Sequence, residues 1–438
     1  MFKVALPLAL LLLAAAPLPA ATWTFTNSGV ATLPNGAVQP AGYTNFTYTN
    51  NGTVNVLGSS TIGSTTATLS YKAFDWVNPW NVFVNGGTAV TGAVLNVGDA
   101  THNAVLTLAD TQAHLYNHLG NTVNLAAGSK LSLLANPIGN LTKEHWAGFK
   151  SFGTFNWGGK VEFSPAMPWN GNYIAAHNYG RLEIVGDGAV LERLPKPAGV
   201  EYKNEGLRIL NEQTGTLAGN GKITYVNSTG NAAYNIGGVL NYGTIAPGTL
   251  AAPGTLEFVN MYVNLGSWGK MAIRLGGTGQ GQYDSLAVSG MGAGFGAASH
   301  AALELTLING FTPSDGDSWS IVRVPQMPTT YLALPAGYTI KCLSDRMVLT
   351  YGSLKTGDAN IDKAVDDDDL SLLLANWGTG TKWDKGNFNS TGVTDDDDLS
   401  LLLSNWTGGT TTIPEPATIA LLVIGAGLVR RRQQTPLA

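Results

Sequence analysis

Gly243-Thr-Ile-Ala-Pro-Gly248, Pro253-Gly-Thr-Leu256, Tyr283-Asp-Ser-Leu-Ala-Val-Ser-Gly290, Leu303-Glu-Leu-Thr-Leu307, Gly310-Phe-Thr-Pro313 and Gly316-Asp-Ser-Trp-Ser-Ile321 follow one another within residues 243 to 324. Leu303, Leu305 and Leu307 alternate with polar residues at period two, which puts them on one face of an extended strand. Gly, Pro and Asp punctuate the segments as turns do. The same texture extends toward the N-terminus: Val54/Val56, Val123/Leu125, Leu131/Leu133, Val161/Phe163, Leu182/Ile184 and Ile223/Tyr225 each lie between Gly, Asn or Asp. Helical templates fit poorly. About 335 residues from Thr22 to Lys355 without a long linker suffice for two sandwiches or one continuous solenoid. Strands this short and this evenly punctuated favour the solenoid, in which each coil buries its apolar side chains against the coils above and below.

The order of motifs in residues 243 to 324 resembles the C-terminal part of autotransporter passenger domains, which are right-handed parallel β-helices. The resemblance implies an all-β body over residues 22–355, folded as a right-handed parallel β-helix. It covers about a fifth of the chain, and residues 22 to 242 share only the texture. An autotransporter continues into a transmembrane β-barrel, and no such stretch follows here. The passenger-like body is therefore expected to use another export route.

The two ends point the same way. Residues 1–21 carry Lys3, the apolar run Val4 to Ala16, then Pro17, Pro19, Ala20 and Ala21, the layout of a secretory signal peptide. Residues 408–416 form a linker ending in Pro414, Glu415 and Pro416; residues 417–432 hold an apolar run to Val429 and then Arg430, Arg431 and Arg432. Arginines beyond the apolar run keep that end cytoplasmic. Thirteen residues from Ala417 to Val429 make a helix of only ~20 Å, short of a hydrocarbon core about 30 Å thick. Such a segment suits recognition and removal better than permanent anchoring. It resembles the PEP-CTERM sorting signal of Gram-negative bacteria, which implies a transient membrane anchor and an exosortase-type processing enzyme.

Cys342 is the only cysteine, so no intrachain disulfide exists. Charged residues make up 12% of the chain and Gly 55 of 438 positions, which favours extended structure with frequent turns. A net charge of −5 gives no basis for nucleic-acid binding. Polysaccharide lyases and hydrolases need clustered carboxylates, whereas the body's acids are scattered. The densest charged stretch is Arg181, Glu183, Asp187, Glu192, Arg193, Glu201, Glu205, Arg208 and Glu212. Their convergence in one groove would favour a carbohydrate-active enzyme, and dispersal a scaffold. No catalytic residue is assigned. His114 and His118 sit four apart, a zinc spacing on a helix but not on the strand expected here. Trp76, Trp80, Trp146, Trp157, Trp169, Tyr173 and Tyr179 offer rings for extracellular polysaccharide or for the core.

The clearest chemistry is a unit repeated 29 residues on. The first copy presents Asp358, Asn360, Asp362, Ala364, Asp366 and Asp369 at loop positions 1, 3, 5, 7, 9 and 12; the second presents Asn387, Asn389, Thr391, Val393, Asp395 and Asp398. Side-chain oxygens at 1, 3, 5, 9 and 12, with the position-7 carbonyl, are the donor set Ca²⁺ takes. An Asp run at a helix start is also favourable without any ion, through the helix dipole. Each loop leads into an apolar stripe, Leu370, Leu373, Leu374, Trp377 and Leu399, Leu402, Leu403, Trp406, and the two stripes are expected to pack on each other. The pair at 357–407 resembles a type I dockerin, which implies Ca²⁺ in the loops, the first ahead of the second. Lys363 replaces the turn Gly in copy one, whereas copy two keeps Gly392 but has neutral Asn387 and Thr391. Asp367, Asp368, Asp396 and Asp397 fill the cohesin-contacting positions 10 and 11, which argues against a conventional cohesin partner and for a stabilising or local docking role.

The whole is expected to be an exported, surface-displayed structural or adhesive protein of the extracellular matrix or envelope, with a carbohydrate-active β-helix enzyme as the alternative.

Overall fold

A computed structural model describes residues 22–38, 45–63, 82–86, 90–110, 114–135, 148–164, 174–195, 207–229, 237–328 and 332–408. The signal segment at 1–21, most of the 408–416 linker and the sorting segment at 417–432 lie outside the described residues. Among the described residues no helix is long and apolar enough to cross a membrane. Contacts divide the chain into two units, Met1–Gly352 and Ser353–Ala438.

The first unit is a parallel β solenoid. Its strands recur in threes, and every third strand joins the same sheet. One ten-stranded sheet runs from Thr22–Asn27 to Gly294–Ala297, a second from Val30–Thr32 to Ala302–Leu307. The third runs from Gly36–Ala37 to Ser318–Arg323, where an antiparallel pair, Arg346–Tyr351 and Tyr338–Cys342, closes it. The described residues between 22 and 352 thus hold one stack of coils and not two sandwiches.

Alternation fixes the core. In the second sheet Val54, Leu95, Val123, Phe155, Leu182, Leu217, Ile245, Met271 and Leu303 pair in register, one per coil, and all are buried. Burying each such side chain contributes about 1.5–3 kcal/mol against the entropy of ordering its strand. The expected inward pairs Val54/Val56, Val123/Leu125, Leu131/Leu133, Val161/Phe163, Leu182/Ile184 and Ile223/Tyr225 are all buried. Leu305 and Leu307 depart from the pattern, half-buried and exposed, because their strand is the last of its sheet and, among the described residues, only Ala333 returns over it, at its Ala302–Leu303 start.

Asparagines continue the core at the end of the first sheet. Asn27, Asn50, Asn85 and Asn117 stack coil on coil, each Nδ2 donating to the next Oδ1 at 2.8–2.9 Å, and Asn117 then donates to Ser151 Oγ at 3.1 Å. Asn178, Asn211 and Asn241 form a second run. The remaining amide hydrogens reach backbone carbonyls that include the first residues of second-sheet strands, such as Asn85 to Thr122 O at 2.9 Å and Asn211 to Thr244 O at 3.1 Å. A buried amide is costly unless its donors and acceptor are used. The ladder uses them to fix the register of successive turns. It breaks at Ser151, whose hydroxyl turns to Gly153 O at 3.2 Å, leaving Asn178 Oδ1 buried with no partner among the described residues.

The second unit holds the repeat. Helix α1 (Asp367–Ala375) and helix α2 (Asp396–Ser404) start from Asp366 and Asp395, each with a capping box closed by Asp369 and Asp398. The Asp runs are thus helix N-termini in both copies, where acidic residues suit the dipole. The expected stripes need correction. Leu373 and Leu402 are fully buried and Leu370 and Leu399 partly so, but Leu374, Leu403 and Trp377 are exposed. Nine-residue helices give the pair only a narrow seam, and Trp383, Phe388, Ala359 and Val365 supply the rest of the interior.

Candidate functional site

The two loops repeat each other residue by residue. Positions 4 and 6 have left-handed backbone in both: Ile361 and Lys363 at φ 63° and 79°, Ser390 and Gly392 at φ 59° and 60°. Lys363 therefore takes the sharp turn expected of Gly there, in a conformation that costs a side-chain-bearing residue about 1–2 kcal/mol. Position 12 is buried in both copies. Asp369 Oδ1 accepts from Ala359 N and Asn360 N at 2.8 and 3.2 Å, and Asp398 Oδ1 from Phe388 N and Asn389 N at 2.7 and 3.1 Å. Position 1 is buried too. Asp358 accepts from Asp362 N and Lys363 N at 3.1 and 2.9 Å, while Asn387 donates to Thr391 O and Gly392 O, both at 3.3 Å.

Among the described residues no three His, Cys, Asp or Glu side chains stand close enough to hold a metal ion as placed. Two features nonetheless fit a cation. Burial pushes the Asp358 carboxyl up to about 6, with Asp369 adding to the effect against the hydrogen bonds from Lys363 and Asp362; a desolvated carboxylate is stabilised by a cation. Burial raises Asp369 as well. Asn387 Oδ1, at position 1 of the second loop, is buried with no hydrogen-bond partner among the described residues. Asp358, Asn360, Asp362, Asp366, Asp369 and the Ala364 carbonyl would hold Ca²⁺ in the first loop, and Asn387, Asn389, Thr391, Asp395, Asp398 and the Val393 carbonyl in the second.

Among the described residues of the body, the charged stretch spreads over three sheets, and of its members Glu212 alone joins the cluster of Lys150 and His177. Arg181 and Glu183 pair at 2.8 Å on the second sheet. Glu192 lies on the third, with Lys160 at 2.6 Å and Ser228 as a hydroxyl donor. Arg193 is buried beside Tyr225, Arg208 begins a first-sheet strand, and Asp187 is in an exposed turn. Glu201 and Glu205 lie outside the described residues. His114 belongs to the strand His114–Asn117, and His118 follows it. Four extended residues span about 13 Å, so the two cannot share a metal.

Lys130, Glu162, Lys160 and Glu192 pair along the third sheet, and a second titratable cluster lies on the outside of the first sheet. Lys150 and His177 are register partners there. Lys150 Nζ lies 4.9 Å from the Tyr179 ring centroid and 5.3 Å from that of Phe152, and those rings stack at 4.7 Å. Glu212 Oε1 is 3.6 Å from His177 Nδ1. Burial lowers both Lys150 and His177 against the attraction of Glu212, and raises Tyr179. Of the aromatics singled out from sequence, Tyr179 is here and Trp157 is core, its Nε1 donating to Gly159 O at 2.9 Å. Trp76, Trp80, Trp146, Trp169 and Tyr173 lie outside the described residues.

No family model matches the chain, and a search of curated proteins finds no match.

Proposed function

We propose that the chain is an exported, surface-displayed structural or adhesive protein of the extracellular matrix or cell envelope. The body is a solenoid whose coils wind right-handed, the hand that nearly all parallel crossovers take. The carrying observation is the dispersal of Arg181, Glu183, Glu192, Arg193 and Arg208 over all three sheets, with Asp187 in solvent, and with columns of core side chains and two runs of stacked amides beneath them. That arrangement serves rigidity and surface area, not a reaction. The dockerin-like pair binds Ca²⁺ and acts as a stabilising or local docking module; the segment from Pro414 to Arg432 anchors the protein transiently in the membrane, where an exosortase-type enzyme removes it.

The experiment is fractionation of the producing cells followed by intact-mass measurement of the surface-released chain. The expected product begins near Ala20 to Thr22 and ends between Pro414 and Ala417. Recovery of the chain in the cytoplasm, or Arg432 retained in the released form, would contradict the export route.

A carbohydrate-active enzyme is the second reading, and the cluster of Lys150, His177, Tyr179 and Glu212 favours it. A lysine lowered by burial beside a neutral imidazole is a pair suited to proton transfer.

A further inference from the structure

Three of the turns that leave the first sheet close in the same way: Asn121 N donates to His118 O, Gly269 N to Gly266 O and Ala301 N to Ala298 O, at 3.2, 2.9 and 3.1 Å. The residue before each closing N–H has left-handed backbone. Gly120 fills it in one coil at φ 78°, as glycine does without strain. Trp268 and His300 fill it in two successive coils at φ 71° and 77°. Each bears backbone strain there that Gly would avoid, and Trp268 also leaves 64% of its surface in solvent. Nothing in the core needs either ring. They stack on each other, centroids 4.9 Å apart and planes at 17°. One coil earlier, Tyr242 is exposed and its ring lies over Gly266, where any Cβ would come within 2.5 Å of Tyr242 Cε1. Tyr242, then Trp268, then His300 therefore line three successive coils, spaced about 4.8 Å apart along the solenoid.

We infer that these three rings form a binding platform for a neutral polysaccharide strand running along the solenoid axis. Local strain and an exposed indole together mark a ligand surface more than a structural one. The face of a pyranose ring presents C–H groups that match a flat ring, and its hydroxyls find Ser267 and Ser299 in the same turns. The adjoining charges select against an acidic chain: Lys270, two residues past Trp268, is already paired with Glu304 at 2.6 Å. Rings flanked by small or polar residues, Asn241 and Gly243, Ser267 and Gly269, Ser299 and Ala301, also lack the continuous apolar centre of a protein interface. The inference rests on the adhesive reading of the body and names its ligand.

Affinity electrophoresis of the exported chain tests it, in gels containing a soluble β-glucan, a galactomannan or, as the acidic counterpart, alginate. The wild type is expected to be retarded by a neutral gel. Trp268→Gly, which removes the ring and the strain together, should weaken that binding about tenfold with the melting temperature unchanged or raised; Trp268→Phe should keep most of it, and Tyr242→Ala should lose part. Equal retardation of wild type and Trp268→Gly overturns the platform, as does retardation by alginate alone or by no polysaccharide. A lowered melting temperature in Trp268→Gly, with Tyr242→Ala binding normally, would make the rings structural and also overturn it. Failure of the surface reading is seen separately, in where the wild-type chain is found.

Discussion

Asp284→Ala is expected to release the Pro247–Gly254 turn and to destabilise the surrounding coils by about 3–5 kcal/mol, the cost of stranding one member of a buried ion pair. The Asp284 side chain is 1% exposed. It accepts from Arg274 Nε, Nη2 and backbone N at 2.7, 2.9 and 2.9 Å, and from Gly254 N at 2.9 Å. Arg274 spends its other donors on the turn, reaching Thr249 O at 2.7 Å, Ala252 O at 2.8 Å and Pro247 O at 3.3 Å. One carboxylate therefore orients a guanidinium that in turn holds three carbonyls. Asp284→Asn should lose most of the same stability, because an amide presents a single acceptor to the two-pronged fork. Solenoids open locally, so the measurement is hydrogen exchange at Gly248, Thr249, Gly254 and Arg274 beside the denaturation midpoint. Unchanged protection at all four would contradict the lock.

Calcium should order the second unit, and it should reverse that unit's response to pH. In the ion-free chain Asp358 has a folded pKa pushed up to about 6, above its unfolded value. Between the two values the native state binds more protons, so stability falls as pH rises. The ion-free unit should be more stable at pH 5 than at pH 7.5, by about 1.4 kcal/mol from Asp358 alone. With Ca²⁺ the carboxylate is the useful form, and free ion at 100 times its Kd adds about 2.7 kcal/mol at neutral pH. Copy one should be the tighter loop, since Asp358 and Asp362 stand where copy two has Asn387 and Thr391, and ligand charge governs affinity. Calorimetry and exchange on the purified chain, with Asp358→Ala and Asp395→Ala, check this. Loss of the tighter site in the Asp395 variant alone would reverse the ranking. An ion-free unit most stable at pH 7.5 would reject the role given to Asp358.

The solenoid was legible because its signal is local: period-two alternation of residues such as Val123/Leu125 and turn residues at each end. The loops were legible because two copies align, down to the left-handed backbone at Lys363 and Gly392. What stayed hidden depends on coil-to-coil neighbours. The asparagine ladder joins residues 23, 35, 32, 33 and 30 apart, an irregularity set by loops of unequal length. Asn at the last strand position before a turn was its one visible trace. Tyr283-Asp284 and the Pro-Gly turns stood out as motifs, yet Arg274 and its carbonyl contacts up to 27 residues upstream did not. Leu374 and Leu403 fit a helical stripe by spacing and still face solvent, because a small unit has too little partner surface to cover them.

The scaffold account and the enzymatic alternative separate in one assay: prolonged incubation of the purified chain with soluble β-glucan, galactomannan or alginate, followed by reducing-end titration and absorbance of unsaturated products. The scaffold account predicts retention with no product above the protein-free control, and the same null result for Lys150→Ala and His177→Ala. Product that accumulates with turnover, and is lost in those two variants, would contradict it and move the function to the Lys150, His177, Tyr179 and Glu212 cluster.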